Sequence, residues 1–196
     1  MDSTSFKTPT SPQKRELMQK RHYFMLSELQ NMARDLPSKY QQRLPYDLLT
    51  GLASSLLDDT IVGIVGNMRE VQQLEERHLF NSRAKMINEY KVNKEELKKK
   101  YKEDKIQSQS KPHNLPLIEQ RFQKDIEVLK QRHEEELKRR DMKIILELDQ
   151  KVMDQQSILE KAGVPGFYVT NNPQDLRLQM YLLDFITRIS NMEIPT

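Results

Sequence analysis

Apolar residues along this chain recur mostly at steps of three, four and seven, which is the spacing of one face of an α-helix. In the first run, Leu17, Phe24, Met25, Leu29, Met32 and Leu36 form a stripe. Ser11 is placed to cap it, Pro12 suits the first helical position and Pro37 stops it. Pro45 and Asp47 open a short apolar helix through Leu57, and Asp58, Asp59 and Thr60 offer caps for the next. From Ile61 the positions Ile64, Val65, Met68, Val71, Leu74, Leu79, Met86, Ile87, Tyr90, Leu97, Tyr101 and Ile106 continue the pattern without an internal proline. "QSQSKPHNLP" at 107–116 breaks it. A second long run, through Leu117, Ile118, Phe122, Ile126, Leu129, Leu137, Ile144, Leu148, Val152 and Leu159, ends at Ala162.

Two runs over 60–106 and 117–162 predict helices of nearly equal length, about 70 Å at 1.5 Å per residue, and a short hinge between matched helices predicts an antiparallel hairpin. The seam is imperfect, since its steps slip between three and four and His78 and His133 interrupt it. Pairing 60 with 160 brings apolar ends together. The expected fold is therefore all-α: a long antiparallel helical hairpin, a coiled-coil-like stalk, on a small α-helical head. The expected divisions are a disordered tail at 1–11, N-terminal head helices at 12–59, the hairpin at 60–162 with its hinge at 107–116, an elbow at 163–172, and a C-terminal helix and short tail at 173–196.

"EKAGVPGFYVTNNP", residues 160–173, interrupts otherwise helical text with two of the five glycines and two of the nine prolines. With Ala162 as C-cap, Gly163 falls where a left-handed residue is needed, Val164 closes back on Leu159 and Pro165 keeps the helix from resuming. Asn172 then caps the last helix, Pro173 takes its first position, and Asp175 can receive a backbone donor and complement the helix dipole. Gly163, Pro165, Gly166, Asn172 and Pro173 thus read as a structural elbow. Phe167, Tyr168, Val169, Thr170 and Asn171 have no such role. They are the candidates for partner binding, with packing on the head the favoured alternative.

Composition narrows the chemistry. Among 196 residues, 36% are hydrophobic and 31% charged, too lean for one large core. The 32 basic and 29 acidic residues leave +3, too little for a global field toward nucleic acid or lipid. No cysteine is present, so disulfide, thiolate and cysteine-metal chemistry are excluded, and an intracellular setting, cytoplasmic or nuclear, is expected. The opening residues lack the apolar core of a secretory signal. Thr8-Pro9 and Ser11-Pro12 have the form of proline-directed phosphorylation sites, but a plain terminal tail is the simpler reading. Asp58 and Asp59 split the longest apolar stretch, so no membrane span is expected.

No Gly-Lys-Ser/Thr loop occurs. His22, His78, His113 and His133 lack metal-ligand spacing, and paired carboxylates on glutamate-rich helices say nothing of acid–base work. No catalytic, cofactor-binding or metal residue is assigned, and no cofactor is expected. Lys98, Lys99, Lys100, Lys102 and Lys105 are interleaved with Glu95, Glu96, Glu103 and Asp104. A solvated stalk therefore outweighs the alternative of a nuclear nucleic-acid-associated regulator. Association with protein partners, or with itself, through the helices is the expectation.

Residues 112–116 "PHNLP", "KIILELDQKVMDQQSILEKAGVPGFYVTNNPQDLRLQMYLL", "RHYFMLSELQNMARDLP" and "QQRLPYDLLTGLASSLLD" carry a further signal: over roughly residues 20–186 the sequence resembles the family of the gonadal protein and the DiGeorge-syndrome critical-region protein. The resemblance implies a small coiled-coil protein of animals, associated with gonadal expression, gametogenesis and developmental cell migration. It implies no established activity and no catalytic residues. An isolated two-helix stalk hides only a narrow stripe, so its exposed Leu, Ile, Met and Tyr point to a non-enzymatic intracellular scaffold or adaptor mediating protein–protein interaction.

Overall fold

A computed structural model of the chain describes residues 12–194. The expectations for 1–11, including the Ser11 cap and the Ser/Thr-Pro dipeptides, lie outside the described residues. Six α-helices occur within that range: α1 (Pro12–Arg34), α2 (Ser38–Gln41), α3 (Tyr46–Ser55), α4 (Thr60–Gln107), α5 (Leu115–Lys161) and α6 (Pro173–Ser190). There is no strand among the described residues, and the fold is all-α. Two short 3-10 turns, Ser108–Ser110 and Pro112–Asn114, join α4 to α5. The chain divides into two compact units, Met1–Val71 with Val152–Thr196, and Gln72–Lys151.

The first unit, the head, contains one apolar core. α1 contributes Met25, Leu26, Leu29, Met32 and Ala33; α3 contributes Leu49, Leu52 and Ala53; α6 contributes Leu178, Leu182, Phe185, Ile186 and Ile189. Ile61, Val65 and Leu159 join the same cluster. Each Leu, Ile, Val, Met or Phe side chain so enclosed is favoured by about 1.5–3 kcal/mol over exposure. Leu26 and Ala33 widen the α1 stripe beyond the six residues picked out by spacing. The sequence pattern also passed over α2, a single turn between two prolines, whose Tyr40 is buried and meets Tyr181 edge to face at 5.2 Å. Only four residues long, α2 carries no periodicity to detect.

Between α3 and α4 the chain turns by 87°. Asp58 Oδ1 accepts the Thr60 amide at 3.1 Å, and Asp59 takes a left-handed φ of 56°. No single helix among the described residues is long and apolar enough to cross a membrane. α3 and the start of α4 reach that composition only across this bend, and Leu52, Ile61 and Val65 are in the head core.

The second unit, the stalk, is built from the remaining lengths of α4 and α5. Cross-helix contacts run in opposite senses: Glu75 meets Lys151 at 2.8 Å, Arg83 meets Asp141, Tyr90 meets His133 and Tyr101 meets Phe122. An antiparallel register follows from that order. Both ring pairs are stacked, with centroids 4.2 and 4.3 Å apart. His133 therefore lies within the seam rather than interrupting it, because its flat ring finds a Tyr90 face opposite. His78, also expected to interrupt the seam, is exposed.

Candidate functional site

The head's least regular segment is the elbow between α5 and α6, and its geometry follows from local sequence. Gly163 has φ 75°, which glycine adopts at little cost. Around it the Val164 amide donates to Leu159 carbonyl and the Gly163 amide to Glu160 carbonyl, both at 3.0 Å. This is the paired ending of a Schellman motif, with Leu159 and Val164 both buried as its apolar contact. Pro165 follows, its Cγ only 3.1 Å from where a Cβ on Gly51 of α3 would stand. Gly51, to which the sequence assigned no role, thus lets the elbow approach α3. Gly166 has φ 86°, and a Cβ there would lie 2.6 Å from Leu182 Cδ1.

At the far side Asn172 Oδ1 accepts the Gln174 amide at 2.9 Å, with Pro173 opening α6. The expected return bond from Asp175 is not formed. The Asn172 amide donates instead to Thr170 Oγ1 at 3.1 Å, and the Asp175 carboxylate accepts from the Thr170 hydroxyl at 3.2 Å and from Arg43 at 2.5 Å. Arg43 meets the carboxylate with a full opposite charge, where a backbone amide would offer only a dipole. Hydrogen bonding to Arg43 holds the Asp175 carboxyl below the usual carboxylate range against the opposing effect of burial, with Tyr168 and Thr170 adding to the depression. The same bond raises the Arg43 guanidinium.

Between these ends, residues 167–172 form neither helix, turn nor bend. Two buried glutamines hold them. Gln156 Nε2 donates to Thr170 carbonyl and Gln156 Oε1 accepts the Thr170 amide, both at 3.2 Å. Gln179 Nε2 donates to the carbonyls of Tyr168 at 2.9 Å and Gly166 at 3.4 Å, while its Oε1 accepts from Gln156 at 2.8 Å. Each side-chain amide thus stands in for a neighbouring strand's backbone, satisfying groups that are costly to bury unpaired. Neither glutamine was picked out by motif. The available signal was positional: Gln156 lies between Val152 and Leu159 on the apolar stripe, and Gln179 beside Leu178 and Leu182.

Of the five partner-binding candidates, Phe167 is buried in the head core and is withdrawn from any surface role, since its ring is enclosed by the cluster that α6 completes. Tyr168 and Val169 are 41% and 49% exposed. Thr170 is half-buried and Asn171 exposed. His113 lies exposed in the second 3-10 turn. Lys98, in the lysine run, pairs with Glu95 at 2.7 Å. Among the described residues no group of three or more His, Asp or Glu side chains could hold a metal ion.

The match to known proteins is extensive. The family model described as DiGeorge syndrome critical region 6 (DGCR6) protein matches residues 2–196. The chain belongs to the DGCR6 family. Its DGCR6-family relatives include Protein DGCR6 of Gallus gallus, 50% identical over 89% of this chain and 86% of that protein. Gonadal protein gdl of Drosophila melanogaster is 42% identical over 91% of this chain and 84% of that protein. The DGCR6-family match reaches beyond the stretch, 20–186, over which the resemblance was legible in the sequence. No solved structure matches.

Proposed function

We propose that this DGCR6-family chain is a non-enzymatic intracellular adaptor that holds protein partners along its stalk. One observation carries the reading: within the stalk unit Phe80, Leu146 and Leu74 are 70%, 67% and 64% exposed, and Ile145 and Met142 add to them. Large apolar side chains left exposed along a helix favour further burial against another protein. Met142, Ile145 and Leu146 lie three and four apart, on one side of α5, where the preceding turns carry Arg132, Glu135 and Arg139 in the same places. The grooves along α4, one lined by Ala84, Lys85, Asn88, Glu89 and Val92 and the next by Lys91, Glu95, Glu96 and Lys99, are each formed by one helix alone. The name of the Drosophila relative, Gonadal protein gdl, makes gonadal tissue the place to look.

The test is proximity labelling in cells with the full chain and with a Phe80→Glu, Leu146→Glu double variant, alongside sedimentation of the purified proteins. Loss of specific partners or of self-association in the variant, at unchanged thermal stability, supports the adaptor reading. A protein that stays monomeric at high concentration and labels nothing that the variant fails to label refutes it.

A further inference from the structure

The elbow has two edges, and only one is closed. In an extended chain the N–H and C=O of a residue point to the same side, and those of the next residue to the other. Gly166, Tyr168 and Thr170 turn their backbone groups to Gln179 and Gln156. The same alternation turns Phe167, Val169 and Asn171 the opposite way. The Phe167 amide is used by Val164 carbonyl at 3.4 Å. The Phe167 carbonyl, both backbone groups of Val169 and the Asn171 amide form no hydrogen bond among the described residues. Val169 and Asn171 are exposed.

We propose that this open edge is a docking site for an extended segment of a partner protein, which adds along Tyr168–Asn171 as a β-strand. The inference rests on the adaptor reading and gives it a second, distinct contact. Donors and acceptors repeating every second residue match another extended chain and nothing helical, whose own backbone groups are already internally paired. Natural strand edges are guarded by lysine, proline or inward charge. Here residues 167–171 carry no charge, and the prolines, Pro165 and Pro173, lie outside them. These prolines limit the edge to about five residues, far below the roughly 800 Å² per partner of a stable interface between two rigid proteins. A flexible peptide, able to continue past the edge, fits that size better than a second copy of the chain. Without charge at the edge, the main chain and the exposed Tyr168 and Val169 side chains select the ligand, which favours Val, Ile or Thr at alternate positions.

Amide-resolved nuclear magnetic resonance on the full chain tests this with a panel of capped heptapeptides bearing Val, Ile or Thr at alternate positions, each matched by a counterpart N-methylated at every second residue. The expected result is exchange of the Val169 and Asn171 amides slowed at least tenfold by a binding peptide, and at least tenfold weaker binding of its methylated counterpart. Val169→Pro and Asn171→Pro, each confirmed folded by thermal unfolding, abolish binding, whereas Val169→Thr preserves it. Amides already protected in the free protein, protection that grows with protein concentration alone, binding indifferent to methylation, or a silent panel overturns the proposal. If the partners lost from the Phe80→Glu, Leu146→Glu variant are retained by Val169→Pro while no peptide binds, the edge fails and the adaptor reading stands.

Discussion

Head and stalk use the same helical text to different ends. The head encloses Met25, Leu29, Leu52, Leu56, Leu159, Leu182, Phe185, Ile186 and Ile189 almost completely, whereas between Gln72 and Lys151 only Leu79 among the described residues is a buried apolar side chain. What the stalk lacks in enclosure it replaces with cross-helix pairs: stacked rings, the two-pronged Arg83–Asp141 bond at 2.7 and 3.1 Å, and Arg140 donating to Ser82 at 2.7 Å. Two helices alone can hide only a narrow stripe from water, so direction and register there depend on specific pairs, while stability resides mainly in the head.

Matched phenylalanines give the largest contrast. Phe185→Ala, at a site 2% exposed, is expected to cost about 4 kcal/mol by urea denaturation. Phe122→Ala, half-buried against Tyr101, should cost about 1–2 kcal/mol. Equal losses would erase the distinction between enclosed and seam packing.

Matched glycines test the elbow within the head. Gly166→Ala combines a left-handed backbone with a clash on the fully buried Leu182, and about 3 kcal/mol should be lost. At Gly163 a Cβ meets open space, so Gly163→Ala should cost about 1 kcal/mol, from the backbone alone. The difference between the two melting temperatures measures the steric part.

Gln179→Ala leaves the Tyr168 carbonyl and the Gln156 amide without their partner and should cost about 2 kcal/mol. Hydrogen exchange at the Thr170 amide should quicken, since Gln156 loses one of the partners that fix its side chain. Unchanged exchange would mean that the glutamine pair does not fix the elbow.

The smallest effects separate the two Arg–Asp ties. Asp175 and Asp141 are both depressed from 3.8, chiefly by hydrogen bonds from Arg43 and Arg83. A depressed carboxyl contributes stability that is complete above its unfolded pKa and is lost as pH falls through the folded value. The stability advantage of the native chain over Asp175→Asn should therefore be level at neutral pH and shrink below about pH 4. The Asp141→Asn difference should follow the same course but be smaller and more sensitive to salt, because Asp141 is 40% exposed against 14% for Asp175.

Sequence alone settled what depends on neighbours in the chain. The 3.6-residue period, Pro37, the break at 107–116, the glycine ending after Ala162 and the Asn-Pro start at 172 and 173 act within a turn or two of themselves, so helix text and its interruptions were readable directly. Tertiary structure decided what depends on who arrives from elsewhere. Phe167 could not be told from Tyr168 until the α6 residues enclosed it, Asp175 turned from its own helix end because Arg43 lay across from it, and His133 became a seam residue only opposite Tyr90. Gln156 and Gln179 owe their role to a strand-like segment without a sheet, and hydrogen bonds spanning 14 and 23 residues leave no period in the text to betray them.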